Sequence, residues 1–159
     1  QILLLIGLGF SLVGDILLML PGDRFLAGLV AFLLAHCSYS TAFGFGLGSL
    51  SGWVLIPLLL IGLVVYQYLS PALGKMRLPV LCYMGIILAM AWLAWERFLG
   101  VGGTGPLLAG IGAVLFVLSD GLLAVGRYKT AFPALRALSL GTYFTGQLLI
   151  AGSAGALVF

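Results

Sequence analysis

The chain has 159 residues, of which 63% are hydrophobic and 7% charged, and its mean hydropathy is +1.28. A soluble domain carries about 25% charged residues, so seven basic and four acidic side chains cannot supply a wet surface; a soluble enzyme, a nucleic-acid-binding protein and a disordered chain are excluded. The net charge of +3 and pI near 9.1 come from Lys and Arg scattered along the chain, not from the basic patch that nucleic acid requires.

A helix needs about 20 apolar residues to cross a bilayer. Six runs approach that length, over 2–20, 25–45, 53–69, 79–99, 106–125 and 132–152. The segments between them, 21–24, 46–52, 70–78, 100–105 and 126–131, are short and polar or rich in Gly and Pro, which predicts antiparallel neighbours. The runs are continuous and about twice the alternating ten-residue segments of a membrane barrel. The expected fold is therefore all-α: a polytopic transmembrane bundle of six helices, one domain over residues 1–159.

The first span carries Ser11 and Asp15, one helical turn apart on one face. The second carries the sole histidine, His36, followed by Tyr39 and Ser40, with Cys37 as a small packing residue. The fourth holds Tyr83 and a second apolar cysteine, Cys82, and ends on Glu96-Arg97, which reads as a snorkelling interfacial pair. The fifth holds Ser119-Asp120, and the sixth holds Tyr143 and Gln147 at i,i+4. Asp23, beside Arg24, reads as a solvated turn residue. Gly44-x-x-x-Gly48 and Ala109-x-x-x-Ala113 have the small-residue spacing that lets helices approach in lipid.

The basic residues give an orientation. Arg24, Lys75, Arg77, Arg127, Lys129 and Arg136 fall at one end of the antiparallel spans, and Arg97 alone falls at the other. The positive-inside rule places the six-residue end in the cytoplasm. The expected location is the bacterial inner membrane, with both ends of this chain on the non-cytoplasmic side.

Asp15 and Asp120 are the carboxyls the bilayer should discourage. A mid-span Asp costs about 2.5–3.5 kcal/mol on insertion scales, and such residues usually face the bundle interior and mark a pathway or a site. Each lies five residues before the end of its span, about 7–8 Å from the boundary at 1.5 Å per residue. The segments 10–15 and 115–120 also resemble each other, with Leu pairs following at equal offsets, which suggests an internal repeat with a shared site. Two carboxyls in one low-dielectric pocket do not both ionise, so the pair offers a general acid beside a carboxylate, the arrangement glycosidases use at an oxocarbenium-like state. A vinyl ether opens by similar chemistry. Proton transport also uses membrane carboxylates, so the pair alone leaves a transporter open.

No metal-ligand spacing of the H-E-x-x-H kind and no G-x-S-x-G elbow occurs, and no cofactor is implied.

Five segments in order carry a family resemblance: Phe10 to Asp15 with Leu18-Met19-Leu20; Phe25, Gly28, Phe32, His36 and Tyr39; Pro79-Val80 with Tyr83 and Met90; Gly112-Ala113, Phe116 and Ser119-Asp120; and Tyr143 with Gln147 to Ile150. The chain resembles the YhhN-like family of membrane proteins, whose characterised animal members are lysoplasmalogenases. The resemblance implies an eight-helix bundle, so that two helices would precede Gln1. It implies hydrolysis of the vinyl ether of a lysophospholipid, with Asp15 and Asp120 catalytic, yielding a fatty aldehyde and a glycerophospho-alcohol. Ser11, His36, Tyr39, Tyr83, Ser119, Tyr143 and Gln147 are the expected water- or head-group-binding side chains. The competing readings are a lipid or proton-coupled small-molecule transporter and a lipid-binding membrane protein.

Overall fold

The computed structural model describes residues 1–156. Six α-helices follow in order: α1 (Ile2–Met19), α2 (Phe25–Gly44), α3 (Leu55–Leu73), α4 (Arg77–Val101), α5 (Thr104–Tyr128) and α6 (Pro133–Ala156). The count of six separate spans needs correction. A 3-10 turn over Gly74–Met76 joins α3 to α4 without a break, so the uninterrupted helical runs number five. Four of these are long and apolar enough to cross a membrane, and the 47-residue run Leu55–Val101 is one of them. The sixth expected span, 132–152, falls within α6, which is not among the four.

Local chemistry explains the joined run. Pro71 removes a helical donor near the end of α3, and the carbonyl of Gln67 instead accepts the Ser70 hydroxyl at 3.2 Å. Gly74, at φ +50°, then reverses the chain, a conformation that favours glycine, and Arg77 Nε donates to Ser70 O at 3.0 Å across the turn. The run folds back on itself: a Cβ on Gly62 would meet the Leu88 side chain at 2.5 Å, and Leu69 packs with Val80. The connection after α4 shrinks to Gly102 and Gly103, at φ +72° and +85°.

Helices α1, α2, α4, α5 and α6 close a ring in that order, with α6 returning to α1. Helix α3 lies outside the ring against α4 and α5. Among the described residues it makes no close approach to α2. The outer faces are apolar: Met19 is 85% exposed and Leu148 73%. The buried centre instead contains Ser11, His36, Ser119, Ser139, Gln147 and Ser153. Apolar side chains outside with polar groups gathered inside is the distribution a bilayer selects.

Aromatic rings from α2 seat on the glycines of α1, where Tyr39 covers Gly7 and Phe32 covers Gly14. The tightest seam is α5 on α6, where Gly112 and Gly146 face each other backbone to backbone. Of the small-residue motifs read from the sequence, Ala109 and Ala113 are fully buried. Gly48 lies beyond the end of α2 and has open space around it, so Gly44-x-x-x-Gly48 is not a helix contact.

The Glu96-Arg97 expectation is also corrected. Both side chains are buried, at 4% and 7% exposure, and they do not pair with each other. Glu96 accepts from the backbone N–H groups of Ser51 at 2.9 Å and Gly52 at 3.2 Å, from the Ser51 hydroxyl at 2.7 Å, and from Trp92 Nε1 at 3.0 Å. Arg97 donates to the carbonyls of Phe45 at 2.8 Å and Phe43 at 3.4 Å. Together they fasten the α2–α3 connection to α4. Glu96→Ala would leave those donors unsatisfied and should lower stability by about 1–3 kcal/mol, read as a fall in the detergent-solubilised unfolding temperature; an unchanged temperature would show that the loop holds without it.

Candidate active site

Asp15 on α1 and Asp120 on α5 enter the ring from helices that run in the same direction. Asp15 meets Tyr143 of α6, and Ser119, next to Asp120, meets Ser139 of α6. Those two partners are one turn apart on the same helix, about 6 Å along its axis.

Each carboxyl is held by a tyrosine hydroxyl from another helix. Tyr143 donates to Asp15 Oδ2 at 2.7 Å, and Tyr83 of α4 donates to Asp120 Oδ2. Behind Asp15 the donors form one directed chain. Ser11 stands 3.4 Å from the Tyr39 hydroxyl, Tyr39 donates to Gln147 Oε1 at 3.0 Å, and Gln147 Nε2 donates to the Tyr143 hydroxyl at 3.3 Å. The i,i+4 spacing of Tyr143 and Gln147 puts both on one face of α6, and the Gly112–Gly146 contact brings that face into the ring.

His36 is fully buried between the two halves. Its Nδ1 hydrogen-bonds the Phe32 carbonyl one turn back, which fixes the proton on Nδ1 and leaves Nε2 as the acceptor. Nε2 has no partner among the described residues. The ring meets Phe116 edge-on at 4.6 Å, Tyr83 at 5.3 Å and Tyr39 at 6.4 Å between centroids, so it touches both tyrosine systems.

A cavity of about 460 Å³ opens beside this cluster. Helices α2, α3, α4 and α5 form its walls, with Leu18 of α1 and Thr142 of α6 at its edges, and its lining is almost wholly aliphatic and aromatic. Among the described residues Asp120 is the only carboxylate that lines it, and Tyr83 stands beside it. Asp15 lies behind the wall, in the hydroxyl and amide chain. The cavity runs to the end of the bundle that carries the basic residues, at Phe25 and Tyr128.

Of the side chains singled out from sequence, Asp15, Ser11, Tyr39, Tyr143 and Gln147 therefore form one network, Asp120 and Tyr83 form a second, and His36 joins them. Ser119 faces elsewhere: its hydroxyl donates to Ser139 O and receives the reciprocal bond, Ser139 to Ser119 O, both at 3.0 Å, which clamps α5 to α6. Sequence reasoning passed over Thr142 and Tyr128 in the cavity lining, and it named Phe116, which packs against His36, only in the family resemblance.

The sequence profile described as the YhhN family matches residues 1–154. The chain belongs to the YhhN family. This YhhN chain is 32% identical over 152 residues to the protein named uncharacterized membrane protein YhhN of Shigella flexneri, covering 95% of the chain and 73% of that protein. It is 41% identical over 147 residues to lysoplasmalogenase TMEM86B of Homo sapiens, covering 91% of the chain and 59% of that protein, and 37% identical over 155 residues to lysoplasmalogenase TMEM86A of Bos taurus, covering 94% and 63%. The YhhN chain thus spans about three-fifths of the mammalian relatives it matches. No solved structure matches it. With an apolar exterior and a relative named as a membrane protein, it is an integral membrane protein.

Proposed function

We propose that this chain hydrolyses the vinyl ether of a lysoplasmalogen. The observation that carries the proposal is the placement of Asp120 as a carboxylate on the wall of a lipid-sized apolar cavity, held by Tyr83, with His36 against that tyrosine. A cavity of this volume is in the range of small-ligand sites, and its lining suits an alkenyl chain. The names of the mammalian relatives support the same substrate class.

The placement of the two carboxyls supports a division of labour. Asp120 reaches the chain in the cavity and delivers its proton to the distal carbon of the C=C–O unit, so that positive charge collects on the carbon joined to oxygen. Asp15 sits among donors and acceptors that can order water. As base, it takes a proton from the water that adds to that carbon, as in the two-carboxyl logic of glycoside hydrolysis. His36 Nε2 accepts a hydrogen bond from that water. The hemiacetal then breaks its bond to the glycerol oxygen as its hydroxyl proton moves to that oxygen. One water is consumed, a fatty aldehyde and a glycerophospho-alcohol form, and the proton gained by Asp15 balances the one Asp120 gave.

The test is direct. Purified protein incubated with a 1-alkenyl lysophospholipid should release aldehyde, and the Asp15→Asn, Asp120→Asn double variant should not. Release no greater from the wild type than from the double variant would end the proposal. Tyr143→Phe removes the bond that orients Asp15, and a hydrogen bond to a charged group is worth about 1.5–3 kcal/mol. The turnover rate should drop about tenfold or more, and an unchanged rate would show that Tyr143 does not position the base.

A further inference from the structure

Next to the apolar cavity lies a second, polar one of about 320 Å³ at the basic end, lined by Leu17, Leu18, Gly22, Asp23, Arg24, Phe25 and Arg127. Leu18 and Phe25 line both cavities, so the two adjoin at these side chains. The geometry points to this polar cavity as the binding site for the zwitterionic phospho-ammonium head group of a single-tailed lipid, with Arg24 and Arg127 holding the phosphate and Asp23 facing the ammonium.

Three observations carry this assignment. First, the charges complement the ligand. Two guanidinium groups and one carboxylate line a small cavity, and guanidinium recognises phosphate oxygens through paired N–H donors. Arg127 is already positioned for that role: it lies over the Phe25 ring at 4.1 Å and bonds Asp23 Oδ1 at 2.7 Å, while Asp23 is itself fixed by the Phe25 N–H at 3.3 Å. The arginine remains 38% exposed, leaving donors for an incoming anion.

Second, the reach fits. Arg127 follows Asp120 by seven residues, two turns of α5 and about 10 Å along its axis. In a lysoplasmalogen, five bonds separate the vinyl-ether oxygen from phosphorus, about 6 Å at the roughly 1.2 Å per bond of an extended chain. The guanidinium and the carboxyl each add their own contact distance to that span. A phosphate on Arg127 therefore sets the vinyl ether at the depth of Asp120.

Third, the hydroxyl of Tyr128 is buried without a hydrogen-bond partner in the lining of the apolar cavity. Its ring packs edge-on against Phe25 at 5.9 Å, which places it at the junction of the two cavities. A lysolipid carries a free glycerol hydroxyl and phosphate oxygens at that point of its length, and either would satisfy it.

The choice of ligand rests on the proposed lysophospholipid substrate, so the test reads binding rather than turnover. An uncleavable 1-alkyl lysophosphocholine, a 1-alkyl glycerol of the same chain length and inorganic phosphate are each titrated against purified protein in one detergent. The lysophosphocholine should bind the wild type at least about tenfold more tightly than it binds R24Q/R127Q, and the alkyl glycerol should bind both proteins alike. R127K keeps the charge and loses the planar fork, and should fall between. Equal lysophosphocholine affinity for wild type and R24Q/R127Q overturns the assignment. So does inorganic phosphate binding as tightly as the lysolipid, which would make the cavity a site for free phosphate. Arginine-dependent lysolipid binding with no aldehyde release from an alkenyl substrate would leave this site standing and remove the hydrolase reading alone.

Discussion

Asp120→Asn is expected to lower aldehyde release by about 10²- to 10⁴-fold, the usual worth of one general acid or base, while leaving the unfolding temperature at or above that of the wild type. The amide keeps the oxygen that accepts the Tyr83 hydroxyl, so the bond between α4 and α5 survives, and a group that is costly to bury in lipid is replaced by one that costs less. Asp15→Asn should behave alike, because its Oδ oxygen still receives Tyr143. The paired measurement, turnover beside thermal unfolding in one detergent, separates catalysis from architecture. If the aspartates serve only to tie helices together, both substitutions leave turnover at the wild-type rate, and that result would remove them from the mechanism.

The second large effect is structural. Gly112→Ala should destabilise the bundle by about 1–3 kcal/mol, the range for overpacking. Its Cβ would stand 2.8 Å from the Gly146 carbonyl oxygen and 3.1 Å from the Ile150 backbone nitrogen. Backbone atoms of a neighbouring helix cannot turn aside, so α5 and α6 must part. Tyr143 and Gln147 flank Gly146 on α6, so parting also draws the Tyr143 hydroxyl from Asp15 and should reduce turnover. Gly141→Ala provides the control. It lies on the same helix with nothing within 4 Å of its Cβ, and exchange to Ala in a helix interior is favourable by up to about 1 kcal/mol. Unfolding of Gly112→Ala at the wild-type temperature would show that the seam has slack.

Much of the site was legible in the sequence because its residues are the kinds a bilayer opposes. Asp15 and Asp120 stood out by cost alone, and Tyr143 with Gln147 by helical spacing. What spacing left open was which helices face each other. That Tyr143 serves Asp15 while Tyr83 serves Asp120 depends on the ring order of the helices, which connection lengths do not encode. Ser119 shows the same limit: it adjoins Asp120 in sequence, but the 100° step between helical neighbours turns it toward Ser139. Glu96 and Arg97 read as an interfacial pair because adjacent opposite charges near a helix end usually are one. Apart from Trp92, their partners lie more than forty residues away, beyond any local pattern.

By itself, the sequence determined the membrane class, the helical fold, the antiparallel order and the end of the bundle where six basic residues gather, because each follows from local composition and the length needed to cross lipid. Only the tertiary structure decided the continuous turn between α3 and α4, the Gly112–Gly146 seam, the directed chain of donors behind Asp15, and the cavity with Asp120 on its wall beside the polar cavity of Arg127. These depend on which helix faces meet, and in lipid that choice is made by close packing and hydrogen bonding between distant residues, with no contrast between apolar and polar solvent to reveal it along the chain.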